Sequence, residues 1–288
     1  MTSEDEAPVD IAVRIEFAHA ALQHLADTYG IDLLHVKGIA FEPKWRSRAE
    51  GGSDADILVR PSQVRDFTRH LRRQGWTRRS SFRTGSASGH AETYWHDHLG
   101  YADVHRFFMG MGRDEGTFDA LWSRRQITEL AGVQCPVPDG VAQALIFAIN
   151  EARNSPGLKQ PERVGLSIDH QLAVQIEKLI PTVQAQVGWA AARGALDEVR
   201  AHREHDLWRT TRAPSGRLAE WRARVKAEPA TLDKIVTVLR APLVNTEHLA
   251  NTRGHRPSPL EVAVEFVDRG RRAATEVWRT YRNGRGLG

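Results

Sequence analysis

Three aspartates carry the chemistry that this sequence offers most directly. In Gly52-Ser-Asp-Ala-Asp-Ile-Leu-Val59, Asp54 and Asp56 stand two residues apart in a strand-like run. Side chains two apart on a strand share a face, so both carboxylates project to one side. Ala55, Ile57 and Val59 are then expected to face the core. Adjacent carboxylates repel one another unless a cation compensates. Magnesium is the natural partner, because it takes hard oxygen ligands and shares them with phosphate oxygens. Asp103 lies in a second apolar run, between Ala102 and Val104. If the two strands are neighbours, the three carboxylates can converge on a two-ion site. Such a site would hold a triphosphate, neutralise its charge and ease deprotonation of an attacking hydroxyl in an in-line displacement. Asp103 is the candidate for activating that nucleophile.

Other residues around these runs admit two readings each. Lys37, at a strand-to-helix turn before Gly38, can place its ammonium near a phosphate, with the helix N-terminus adding backbone donors; the plainer alternative is an exposed turn lysine. Ser53 can hydrogen-bond a phosphate or cap its turn. His105, two residues after Asp103, falls on the same strand face. There it can contact substrate, orient the aspartate, ligate metal or serve the packing alone. His90, His96 and His98 together with His105 raise a zinc alternative. Arg69, Arg72, Arg73, Arg78, Arg79 and Arg83 form a basic stretch that is either a solvated face or a substrate patch.

The elements that must position these residues can be read from periodicity. Ile11, Ile15, Ala18, Leu22 and Leu25 fall at helical spacing, and Gly30 sits where a C-cap glycine belongs. Residues 31–36 read as a short buried strand, and Ile39 to Trp45 as the start of a helix. After the turn at 50–53 and the strand 54–59, Pro61 opens a helix to Gln74, with Val64, Phe67 and Leu71 on one stripe. Residues 76–83 and 91–96 are weaker strands separated by a Gly- and Ser-rich segment at 84–89. Residues 101–107 alternate as a strand, 114–125 read as a helix, and 126–137 as a hairpin around Ala131-Gly132. Beyond Pro138 the pattern is helical: 139–153, 162–180, 182–206, 215–227, 230–240 and 258–282. The expected fold is α+β, with a catalytic domain over 1–137 and a helical domain over 138–288 that completes the substrate cleft.

Composition bounds the rest. The 288 residues carry a net charge of +4 with 26% charged residues, a mild excess well short of that of a dedicated nucleic-acid binder. One cysteine, Cys135, excludes an internal disulfide and a cysteine-based zinc site. The acidic N-terminus lacks the basic and then apolar run of a signal peptide, and no apolar stretch is long enough to span a membrane. A cytoplasmic protein is expected.

The order Val36-Lys-Gly38, then Gly52-Ser-Asp-Ala-Asp-Ile-Leu-Val59, then Ala102-Asp-Val-His105 resembles the bacterial uncharacterised nucleotidyltransferase family of the polymerase-beta-like superfamily. The resemblance covers roughly residues 10–110. It implies a nucleotidyltransferase-fold mixed sheet with flanking helices, with Asp54, Asp56 and Asp103 binding Mg2+. It places Lys37 and Gly38 in the turn that other superfamily members use to approach the triphosphate, beside the turn of Gly52 and Ser53. The family commonly has an arginine about four residues before the first aspartate; Glu50 stands there, with Arg46 or Arg48 nearby as substitutes. The implied activity is transfer of a nucleoside monophosphate from an NTP to an acceptor, with release of pyrophosphate. The acceptor is left open among a small molecule, a protein and RNA. The alternatives are a nucleotide-binding regulatory protein with little turnover and a metal-dependent phosphohydrolase.

Overall fold

In a computed structural model, residues 9–47, 52–82, 89–154, 168–212, 217–240, 255 and 257–284 are described. Helix α1 (Ile11–Tyr29) begins where the Asp10 side chain accepts from Ala12 N and ends at Gly30 in the left-handed region. It is followed by β1 (Leu33–His35), β2 (Asp54–Val59), α2 (Val64–Arg73), β3 (Thr77–Arg78), β4 (Ala91–His96) and β5 (Gly100–His105). The five strands form one mixed sheet in the order β1-β2-β5-β4-β3, in which only the central β2–β5 pair is parallel. Helix α3 (Glu115–Ser123) leads into the hairpin of β6 (Gln126–Leu130) and β7 (Val133–Val137). Ala131 and Gly132 both take positive φ there, as a two-residue I′ turn requires.

The chain is helical thereafter: α4 (Gly140–Asn154), α5 (His170–Val183), α6 (Gln186–Ala192), α7 (His205–Arg212), α8 (Arg217–Ala227), α9 (Thr231–Arg240) and α10 (Pro259–Gly284). The α+β architecture, a mixed sheet with flanking helices followed by a helical C-terminal region, is the expected one. Among the described residues no helix is long and apolar enough to cross a membrane.

The sheet separates two cores. Ala55, Ile57, Val59, Ala102 and Val104, all fully buried, meet Ile15, Ala18 and Leu22 of α1, together with Phe67 and Leu71 of α2 and Cys135 of the hairpin. On the other face, Leu34 and Leu58 join a larger cluster with Phe41, Trp45, Leu145, Ile149, Trp189 and Trp208. Each large apolar side chain buried in this way contributes about 1.5–3 kcal/mol. One cluster therefore spans the sheet and the helices beyond Pro138.

Three expected elements differ. The helix expected from Ile39 to Trp45 is instead two single 3-10 turns, Gly38–Ala40 and Pro43–Trp45. Pro43 disfavours helical backbone at the residue before it, and Glu42 is extended accordingly, with ψ 142°. The helix expected over 182–206 is broken, because Gln184 and Gly194 both take positive φ. A 3-10 turn over Leu196–Val199 precedes α7. Pro181, expected to interrupt the chain, lies within the last turn of α5. The segment 84–89 falls outside the described residues except for Gly89.

Candidate active site

The parallel pairing of β2 with β5 sets Asp56 directly opposite Asp103 and Asp54 opposite Tyr101. This register follows from the apolar alternates: Ala55 faces Ala102 and Ile57 faces Val104 on the α1 side. A one-residue slip would bury the carboxylates against α1. Asp54, Asp56, Asp103 and His105 thus share the opposite face. Ligand atoms of Asp56, Asp103 and His105 lie within 4.8 Å of one another. Asp54 lines the same cleft but stands outside that closest group.

Asp56 is the hub. Its Oδ1 is 2.5 Å from Lys37 Nζ and 2.7 Å from His105 Nε2. Lys37 reaches it from the end of β1, where Val36 N donates to Asp56 O at 2.9 Å and continues the ladder. Lys37 itself takes φ 70° and Gly38 φ 57°. Positive φ at a non-glycine residue is costly and persists only when its surroundings over-determine it; the ion pair with Asp56 is one such restraint. His105 is 1% exposed. Burial, then the charges of Lys37 and Arg153, hold its pKa well below the ordinary value. The imidazole is therefore neutral. With Nε2–H donating to Asp56, Nδ1 is left as a buried acceptor without a partner. The aspartate that His105 bonds is thus Asp56 on the neighbouring strand, not the Asp103 beside it in sequence.

The other two carboxylates carry the electrostatic strain. The neighbouring charge of Asp56, then burial, raises the pKa of Asp54 to about 6. Burial, then Asp56 and Asp54, raises that of Asp103 to about 7, even though Thr93 Oγ1 donates to Asp103 Oδ1 at 2.7 Å. Two raised carboxyls beside a third, all offering oxygen, form a donor set suited to a hard dication such as Mg2+. A bound cation would reverse both shifts.

These groups line an open cleft of about 270 Å³, together with Gly38, Phe41, Trp45, Ser47, Gly52, Ser53, Phe147, Asn150 and Arg153. Gly52, with φ 100°, makes the turn that leads into β2, and Ser53 Oγ donates to Asp54 Oδ1 at 3.4 Å. Lys37, Gly38, Gly52, Ser53, Asp54, Asp56 and Asp103 all line this cleft, and His105 is bonded to Asp56. What starts after Lys37 is a single 3-10 turn, Gly38–Ala40, in place of the expected α-helix.

Helix α4 closes the cleft from the helical half. Arg153 Nη1 is 3.0 Å from His90 Nε2, and Asn150 Nδ2 donates to Ser47 Oγ at 3.1 Å. Burial lowers the pKa of Arg153, opposed by the attraction of Asp56 and Asp103. Asn150 and Arg153 stand at the end of a stretch that periodicity marked only as a helix over 139–153. The available signal was their i,i+3 spacing at the end of a helix whose preceding residues, Ala142 to Ile149, are fully buried. Thr93 was missed entirely, because only the β4–β5 register brings it to Asp103.

Other candidates resolve differently. Arg46 donates to the carbonyls of Phe41 and Ile39 and so braces the loop between β1 and β2; Arg48 and Glu50 lie outside the described residues. The four histidines do not gather. His90 and His105 have ring centroids 5.3 Å apart, whereas His96 and His98 sit at the far end of β4. In the basic stretch, Arg69 pairs with Asp66 at 2.8 Å and Arg72 Nε donates to Thr68 O. Asp169 caps α5 through Leu172 N. Trp189 and Trp208 are core residues, while Trp278 is 65% exposed.

No protein-family model matches this sequence, and no curated protein matches it. Among solved structures, the chain is similar to a lincomycin-bound lincosamide antibiotic adenylyltransferase, LnuA. The identity is 15%, covering 57% of this chain and 94% of that one, with a TM-score of 0.34.

Proposed function

We propose that this protein transfers a nucleoside monophosphate from a nucleoside triphosphate to an acceptor hydroxyl, releasing pyrophosphate. The observation that carries this reading is the convergence of Asp54, Asp56 and Asp103 on one face of two parallel strands, in a cleft that also holds Lys37 and Arg153. The motif order from Lys37 to His105 supports it through the family resemblance.

In this reading Asp54, Asp56 and Asp103 hold Mg2+, which when bound neutralises the triphosphate and acidifies the attacking hydroxyl. Lys37 and Arg153 balance phosphate charge from opposite walls, and Gly52 and Ser53 let backbone approach the triphosphate. Asp103, facing the cleft from β5 opposite Asp56, accepts the proton of the acceptor hydroxyl. The acceptor oxygen bonds to the α-phosphorus as the bond to the bridging oxygen breaks, and pyrophosphate carries away the electron pair. Residues 1–137 form the catalytic part, and the helical remainder supplies the opposite wall through Asn150 and Arg153.

Incubation with each α-labelled NTP, Mg2+ and cell extract tests this, with the Asp54→Asn and Asp103→Asn proteins alongside. Label transferred to a discrete acceptor by the native chain and lost in both variants is the expected result. Full transfer by either variant, or release of γ-phosphate alone, refutes it; the latter would indicate a phosphohydrolase.

A further inference from the structure

The cleft face of the sheet does not end at the carboxylates. Strand alternation and register place Trp95 opposite Tyr101, and both lie on the same face as Thr93 and Asp103. Tyr101 is also the cross-strand partner of Asp54, so its Cα lies about 5 Å from that residue's. The two rings pack with centroids 4.6 Å apart at 59°. Trp95 Nε1 donates to Asp97 Oδ1 at 2.9 Å, which fixes the indole. Aromatic residues on the opposite face of these strands are buried: Tyr94 is fully covered. Tyr101, by contrast, is 45% exposed, and Trp95 is partly so. Tilted against each other and partly exposed, the two rings beside the carboxylate cluster offer apolar ring surface against which a planar ring can stack. Exposed Arg79 adjoins it, since its N–H donates to Thr93 O.

We propose that Trp95 and Tyr101 form the acceptor platform, on which the terminal base of an unpaired nucleic-acid strand stacks while its ribose hydroxyl is directed towards Asp103. This rests on the nucleotidyl-transfer reading and names its acceptor. Stacking on aromatic side chains is tolerant of sequence and needs a strand whose end base is free, while a basic flank suits the backbone phosphate. The two rings match one or two bases.

The test is binding of a fluorescein-labelled single-stranded RNA of about ten nucleotides to the full chain, with Mg2+ and without NTP. ATP affinity is titrated on the same samples. In Trp95→Ala/Tyr101→Ala the RNA affinity should fall about tenfold or more relative to the ATP affinity. Trp95→Phe/Tyr101→Phe should retain most of it. Tyr101→Ala alone, at an exposed position, should lose several-fold and guards against misfolding of the double variant. Equal RNA binding by native and alanine proteins overturns the platform. So do equal binding of blunt duplex and single strand, and transfer of label to a protein irrespective of these substitutions. RNA binding without any ATP binding would overturn nucleotidyl transfer while leaving the platform standing. ATP binding without RNA binding would do the reverse.

Discussion

Replacing a site carboxylate should make the metal-free protein more stable, and the structure says which one and at what pH. Asp54 has its pKa raised to about 6, chiefly by Asp56. A carboxyl whose folded pKa lies above its unfolded value is penalised once ionised. The cost is absent below the unfolded value near 3.8, grows as the pH rises through about 6, and is constant above. At about 1.4 kcal/mol per pKa unit the full cost is roughly 3 kcal/mol. Partial solvent screening reduces this to about 1–2 kcal/mol. Asp54→Asn removes the charge and keeps the shape, giving up only the weak Ser53 hydrogen bond and its attraction to Lys37.

At about pH 8 in EDTA the variant should therefore melt roughly 2–4 °C above the native chain, at about 2 °C per kcal/mol for a chain of this size. Near pH 3.5, below the unfolded value, the two should coincide. Magnesium should reverse the order, because ligand binding stabilises only a chain that binds it. Differential scanning fluorimetry across pH, with and without Mg2+, reads all three outcomes. A variant that is less stable at pH 8, or equally stabilised at pH 3.5 and 8, would refute the claim that Asp54 is held against electrostatic repulsion.

Mg2+ affinity should rise as the pH passes from about 5 to about 7.5, where Asp54 and then Asp103 ionise, and level off above; isothermal titration at several pH values checks this. The isosteric Thr93→Val removes the hydroxyl that donates to Asp103 and should move the alkaline plateau of the transfer rate to higher pH, while Thr93→Ser, which keeps the hydroxyl, keeps the native profile. Arg153→Ala should raise the KM for the triphosphate about tenfold with little change in fold, read by steady-state kinetics and circular dichroism, since a charge-assisted hydrogen bond contributes about 1.5–3 kcal/mol. On the α1 side, His19 Nδ1 and His35 Nδ1 lie 2.8 Å apart, both fully buried. Burial lowers the His19 pKa to about 4. Their share of stability is complete above the unfolded pKa near 6.5 and is lost as the pH falls towards 4. Urea midpoints should fall over that window, and His19→Leu/His35→Phe should flatten the slope.

What the sequence disclosed follows from what local pattern encodes. Alternation in Asp54 to Val59 and in Tyr101 to His105 fixed which residues face the core, so the three carboxylates could be assigned to one face. Their approach needed only that the strands be neighbours. The parallel register that sets Asp56 opposite Asp103 was not legible, because it depends on how α1 packs over Ala55 and Ala102. Lys37 was legible as a phosphate-facing candidate but not as the partner of Asp56, since that contact requires an uncommon backbone conformation. Thr93 and Arg153 reach the site from elements 40 to 100 residues away in sequence, and no periodicity links them to Asp54. The broken helix after Gln184 was hidden because its apolar pattern continues through the breaks.

The core that joins Leu34, Phe41, Trp45 and Leu58 to Leu145, Ile149, Trp189 and Trp208 makes the two halves poor candidates for separate life. A fragment ending at Val137 would present that whole apolar surface to water, a loss larger than the net stability of an ordinary domain. The two walls of the cleft should therefore melt together as one cooperative unit. Exchange of the helical half between relatives, as a means of changing acceptor, would require Phe41, Trp45 and Leu58 to change with it.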